Sequence, residues 1–361
     1  MDITAFVGDA QVVAIGENNH HVREFGEVRR DLVRRLVDEL GFTVVAMESG
    51  FAEGLHVDAW LRGEVADLDT AAGFTFRFGD APETRELLQW LRERGGVTFA
   101  GLDVPGSGGT PRPALDLLAG QPVEAAIAAT ERYAAANNGA APERYAALSP
   151  AERDAATTAL ARLLLHVEAT TADPVARHLA LGALRLDEQQ RELTALLSGQ
   201  ASGLVVSSRD VYMAESVRLL RRLHPGARIV LLLHNGHAQR IPVPLVPGVH
   251  VRSAGTYLAA ELGAGYRVLG LTAVAGTTTL ARLDDDARHG IAVDAHPLDP
   301  PAPGSVEAAV GAIGEPTFLD LRSGDLRPTG LRHAHLHAEV DVAAAFDGML
   351  VLPTISPAAL E

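Results

Sequence analysis

Four apolar residues in a row, Val12-Val-Ala-Ile15, stopped by Gly16, constrain this chain more than any other stretch. A short continuous apolar run without alternation is the pattern of a strand buried on both faces, which belongs in a parallel sheet under helices on either side. In open α/β sheets ligands bind where loops leave the carboxyl ends of strands. Here that loop is Glu17-Asn18-Asn19-His20-His21, so an acid and a titratable imidazole stand where a site is expected. The following stretch repeats Phe25, Val28, Leu32, Val33, Leu36 and Leu40 at helical spacing and meets Gly41, a natural C-terminal stop. Arg29 falls inside that apolar stripe, while Arg30, Arg34, Arg35, Asp38 and Glu39 take the opposite face. A guanidinium turned toward a core must be paired, and acidic partners are close in the expected fold.

The same logic orders the rest of the chain. Phe42 to Met47 reads as a second strand, ending in Glu48. Helical patterns follow over 55–63 and 83–94, and Gly95-Gly96 closes the second. Val97 to Leu102 reads as a third strand, ending in Asp103. Arg228 to Leu233 is the most apolar strand candidate and ends in His234, with Asn235 and His237 just beyond. Further strands are expected at 267–272, 317–321 and 349–352, with a loop over 297–303. Alternation of strands and helices implies an α/β fold, a mostly parallel, doubly wound sheet with flanking helices. Between Pro113 and Ser198 strand signals vanish and Ala-, Leu- and Arg-rich helical runs take over. The expected organisation is an α/β core from 1–112 and 199–361, with a helical insertion over 113–198 that serves as a static or moving lid.

Composition excludes several chemistries. The chain has 361 residues and no cysteine, so disulfides, thiolate metal sites and cysteine nucleophiles are absent. All 31 basic residues are arginine, which removes a Schiff-base lysine and a phosphate-loop lysine. A net charge of −15 opposes nonspecific binding to nucleic acid or to anionic membranes. No apolar run has the length of a bilayer span, and no basic stretch followed by an apolar segment opens the chain. The expectation is a cytoplasmic enzyme whose partner is a small molecule. Its oligomeric state is not encoded in any pattern we recognise.

The ordered set Gly16-Glu17-Asn18-Asn19-His20, Arg29, Glu48 and His234-Asn235-Gly236-His237 resembles the erythromycin esterase family. That family has a Gly-Glu-x-x-His loop after its first strand, an inward Arg on the next helix, a second strand ending in Glu, and a later His-Asn-x-His. Phe51 to Gly54, Gly101 to Pro105, Gly255 to Leu258 and Phe346 to Gly348 look like further family blocks in the right order. The resemblance implies hydrolysis of an ester or lactone, without a cofactor, by a water molecule activated by His20. It implies a role for Glu17 or Glu48 in orienting the imidazole, for Arg29 in holding the carboxylates or stabilising an oxyanion, and for His234 as electrophile or acid. Asn18, Asn235, His237, Asp103 and Glu53 are expected around the site as substrate contacts or supports.

Two alternatives use the same residues. Glu17, His20, Glu48, His234 and His237 offer nitrogen and oxygen ligands for a divalent metal ion that would activate water, although Arg29 nearby would repel it. A non-hydrolytic binding protein or another tailoring enzyme of natural-product chemistry would also fit this scaffold. The His333-Ala-His-Leu-His337 cluster is read as a solvated surface.

Overall fold

The computed structural model describes residues 2–324 and 326–360. Along the chain the strands are β1 (Val12–Ile15), β2 (Phe42–Gly50), β3 (Thr98–Asp103), β4 (Gly203–Val205), β5 (Arg228–Leu232), β6 (Val243–Val246) and β7 (Val249–Val251). They continue as β8 (Tyr266–Leu283), β9 (Ile291–Pro297), β10 (Thr317–Asp320), β11 (Gly330–His333), β12 (Leu336–Glu339) and β13 (Gly348–Ile355). The main sheet runs β10-β13-β8-β1-β5-β2-β3, and β9 pairs with the far part of β8. From β13 to β3 every neighbour is parallel, whereas β10 and β9 are antiparallel additions.

Both faces of the sheet are covered, as a non-alternating β1 requires. Val13 and Ile15 pack into one apolar layer with Phe25, Val33 and Leu36 of the Arg23–Leu40 helix. Val12 and Ala14 face the opposite layer, which the Ser208–Leu223 helix and the Ala254–Leu262 helix close through Met213, Val217 and Leu258. Burying one such side chain stabilises the fold by about 2 kcal/mol. Gly41 ends the Arg23–Leu40 helix in the left-handed region, φ 69°, where a side chain would be strained.

Register fixes the level of the site. Ile15 and Met47 both pair with Leu232. Glu17, Glu48 and His234 therefore leave three adjacent parallel strands at one height.

Residues 113–198 are helical apart from connecting turns, with long helices at Pro150–Thr170 and Pro174–Leu197. Their apolar cluster also takes in Phe51, Ala52, Tyr212 and Leu219, so the segment packs directly on the α/β core.

Several elements depart from expectation. The strand anticipated at 267–272 continues to Leu283 and folds back with β9 as a long hairpin arm. Beyond Gly276 it reads Thr277-Thr-Thr-Leu-Ala-Arg-Leu283, without the unbroken apolar run that marks a buried strand. The small sheets β4-β7-β6 and β11-β12 were also not anticipated. These strands are as short as β1 but, unlike it, each is interrupted by a Gly, Pro or polar residue, so no unbroken apolar run marks them. Among the described residues, no helix is long and apolar enough to cross a membrane.

Candidate active site

The carboxyl ends of β1, β2 and β5 open onto a cleft of about 840 Å³. His20, Glu48, Arg209, Asp210, His234 and His237 form its polar floor, and Leu193, Leu196, Val206 and Leu245 belong to its walls. The floor is built from two ionic arms.

The first arm starts at Gly16. A Cβ there would lie 2.1 Å from Asn235 Oδ1, so only glycine lets the β1 loop pass beneath the β5 loop. Asn235 N–H donates to Glu17 O at 2.7 Å, and Asn235 Nδ2 donates to Leu271 O at 2.9 Å, which ties β1, β5 and β8 together. Glu17 then accepts from His20 Nδ1 at 2.8 Å through one carboxylate oxygen and from Arg29 Nη1 at 2.6 Å through the other. Arg29 also donates to the carbonyls of Leu233 (2.7 Å) and Ile15 (3.2 Å). The inward arginine is thus a clamp beneath the loops. It contacts Glu17 and not Glu48, and it lines a separate cavity of about 50 Å³ behind the floor. His21 also lines that small cavity, at φ 57°, and burial followed by the charge of His20 lowers its pKa to about 4.

The second arm centres on Glu48, 3 % exposed. Its Oε2 accepts the His234 backbone N–H at 2.6 Å. Its Oε1 faces Arg209 Nη2 at 3.0 Å, His237 Nε2 at 3.3 Å and His20 Nε2 at 3.7 Å. Burial pushes its pKa up, but His237, His20 and Arg209 outweigh burial and hold it well below the usual carboxylate range. Arg209 clasps Asp103 through three hydrogen bonds of 2.6–2.9 Å. Burial nonetheless leaves Asp103 raised, against the pull of Arg209. His237 Nδ1 meets Asp210 Oδ1 at 2.6 Å. Burial lowers the His237 pKa, but Asp210 and Glu48 on either side raise it further, so the net direction is upward.

His234 stands between the arms. Its Nε2 can only donate to Asn18 O (2.8 Å), and its Nδ1 can only accept from Gly236 N–H (3.0 Å). These bonds assign the neutral Nε2–H tautomer. Burial, then His333 and His20, push its pKa well below the ordinary value, in agreement.

Of the residues singled out in the sequence, Glu17, His20, Glu48, His234 and His237 converge, with Arg29, Asn18, Asn235 and Asp103 directly behind them. Glu53 is set apart: its Oε1 accepts Gly106 N–H at 2.7 Å, and burial raises its pKa to about 7. Among the described residues, no group of three or more His, Asp or Glu side chains is arranged to hold a metal ion. The five alternative ligands are turned to protein partners instead, and Arg209 stands among them. The His333 reading needs correction. That residue lines the cleft, with its ring 4.7 Å from that of His234, because the β11-β12 hairpin folds back over the floor.

Arg209 and Asp210 went unassigned in the sequence. A signal was present: Ser207 caps the Ser208–Leu223 helix, and a cation in a first helical turn opposes the dipole. An arginine tolerated there is held by something else.

The sequence profile of a family described as Erythromycin esterase matches residues 37–355. Erythromycin esterase type II of Escherichia coli is 28% identical over 374 residues, covering 95% of this chain and 89% of its own. Erythromycin esterase type I of Escherichia coli is 24% identical over 383 residues, covering 96% and 91%. Among solved structures, a mutant of the erythromycin esterase EreC in its open conformation superposes with a TM-score of 0.83 at 21% identity, over 99% of this chain and 94% of that one. A succinoglycan biosynthesis protein gives 0.71 at 20% identity, over 99% and 91%. At these identities the structural likeness speaks for the fold.

Proposed function

We propose, from the premise that this chain belongs to the erythromycin esterase family, that it opens a macrocyclic lactone of the erythromycin kind with an activated water. The observation that carries this is the 3.7 Å gap between His20 Nε2 and Glu48 Oε1 on the floor of the cleft. A water oxygen roughly 2.8 Å from each atom completes a triangle on that edge. Glu17 accepts the Nδ1 proton of His20, which leaves Nε2 free to accept one from water.

In this scheme the water oxygen attacks the carbonyl carbon while His20 takes its proton. Glu48 stays ionised and orients the second water proton. His237, flanked by Asp210 and Glu48, is the cation that stabilises the developing oxyanion. When the tetrahedral intermediate collapses, the ring C–O bond breaks and His20 returns its proton to the leaving alkoxide. The products are a carboxylic acid and an alcohol. A positioned base contributes about 10²–10⁴-fold, and one oxyanion donor about 10²–10³-fold. Arg29 and His234 act as positioning residues that fix the β1 and β5 loops, and residues 113–198 form the wall that admits the ligand.

The test is incubation with erythromycin followed by mass spectrometry. The expected product is heavier by one water, and it carries heavy oxygen when made in H₂¹⁸O. Failure of folded, monodisperse protein to form it would overturn the proposal. Because the ring nitrogens of His234 and the Nδ1 atoms of His20 and His237 already have protein partners, turnover should survive a chelator. Loss of activity on chelation, restored by a divalent ion, would favour the metal-dependent alternative.

A further inference from the structure

The cleft contains a fourth imidazole that the proposed chemistry does not use. His333 ends β11 and comes to the floor from a different part of the chain than His20, His234 or His237. Its hairpin is pinned where it matters. Ala334 N–H donates to Asn18 O at 2.7 Å, the same carbonyl that accepts from His234 Nε2. Ala334 has φ 55°, a conformation that costs an alanine about 1 kcal/mol. A tight turn is therefore kept in spite of its residue, and it sets the His333 ring at 74° to that of His234.

The other three imidazoles all have protein partners: Glu17 for His20, Asn18 and Gly236 for His234, Asp210 for His237. Among the described residues, the ring of His333 has no hydrogen bond. Burial, then the charges of His237 and His20, hold it below the ordinary histidine pKa. A neutral imidazole offers one donor and one acceptor, the pair that reads a hydroxyl or a ketone. The His234 ring lies 5.3 Å from that of His20 and 4.7 Å from that of His333, and all three line the cleft. An oxygen held by His333 would therefore share the cleft with a carbonyl held at His20.

We propose that His333 is a substrate-binding residue that hydrogen-bonds a hydroxyl or keto oxygen of the ligand in the same cleft as the scissile carbonyl. It makes the site favour polyoxygenated lactones over plain aliphatic ones. This rests on the hydrolase reading above, and the experiment separates the two. The kcat/KM ratio for erythromycin over a saturated lactone of equal ring size without hydroxyls is measured for wild type, His333→Ala and His333→Gln. The ratio should fall about tenfold in His333→Ala, through KM, and recover most of that loss in His333→Gln, which keeps a donor and an acceptor. An unchanged ratio, or a loss carried by kcat for both lactones alike, overturns the proposal. Binding of erythromycin to His20→Asn by calorimetry, with and without His333→Ala, is independent of turnover. A tenfold rise in Kd supports the assignment, and equal affinity or no binding to either protein counts against it. If wild type opens neither lactone, the hydrolase reading falls while the calorimetry still decides His333.

Discussion

Replacing Arg209 with methionine should be the most damaging single change at the site that does not touch a proposed acid or base. The guanidinium makes four hydrogen bonds, three to Asp103 and one to Glu48. Asp103 is 0 % and Glu48 3 % exposed, so neither carboxylate can turn to solvent when the cation is removed. Breaking a buried ion pair by truncating one partner costs about 3–5 kcal/mol, mostly because the remaining charge is stranded. Here Asp103 loses its ionic partner, while Glu48 loses one cation and keeps His237 and His20 beside it, so the middle of that range is expected. The assay is urea denaturation at pH 7.5 of wild type, Arg209→Met, Asp103→Asn and the double variant. Arg209→Met should lose roughly 4 kcal/mol, and the double variant should lose clearly less than the two single losses together. Arg209→Met should also recover stability as pH falls toward 5, because a stranded carboxyl can then take up a proton. A loss under about 1 kcal/mol, or strict additivity, would refute the claim that this arginine neutralises the acids at the ends of β2 and β3.

His20→Asn should lower kcat by about 10²–10⁴-fold with melting unchanged, since its side chain is 29% exposed; an unaltered rate removes it as the base. Burial raises the Glu53 pKa to about 7 from an ordinary 4.5, so the folded state holds the proton longer. Its contribution to stability is therefore full below pH 4.5 and is lost as pH rises through 7. Glu53→Gln should gain up to about 3 kcal/mol relative to wild type at pH 8 and little at pH 4; equal melting shifts at both pH values would contradict this. Arg29→Ala should cost about 3 kcal/mol and most of the activity, because Glu17 loses its cation and two carbonyls lose a donor; normal melting together with a normal rate would show that the clamp is dispensable.

Much of this molecule was written locally. An unbroken apolar β1, a helix whose stripe includes Arg29, and strands each closed by Glu48, Asp103 or His234 can be read from periodicity, because burial on both faces leaves no polar alternation. The convergence of Glu17, His20, Glu48 and His234 follows from parallel strands ending at one level, a rule of topology. Which acid meets which base does not follow. Arg29 serves Glu17 while Arg209, from a helix 180 positions later, serves Glu48 and Asp103, and that division depends on which face of the sheet each helix covers. His333 reached the cleft through a hairpin whose strands, Gly330–His333 and Leu336–Glu339, mix polar and apolar residues and lack the unbroken apolar run of β1. The chain by itself determined a parallel α/β sheet with a row of acids and imidazoles at the ends of its strands. Only the packed structure decided their partners, because ion pairing and pKa depend on distances of 3–4 Å between segments that sequence spacing leaves unconnected.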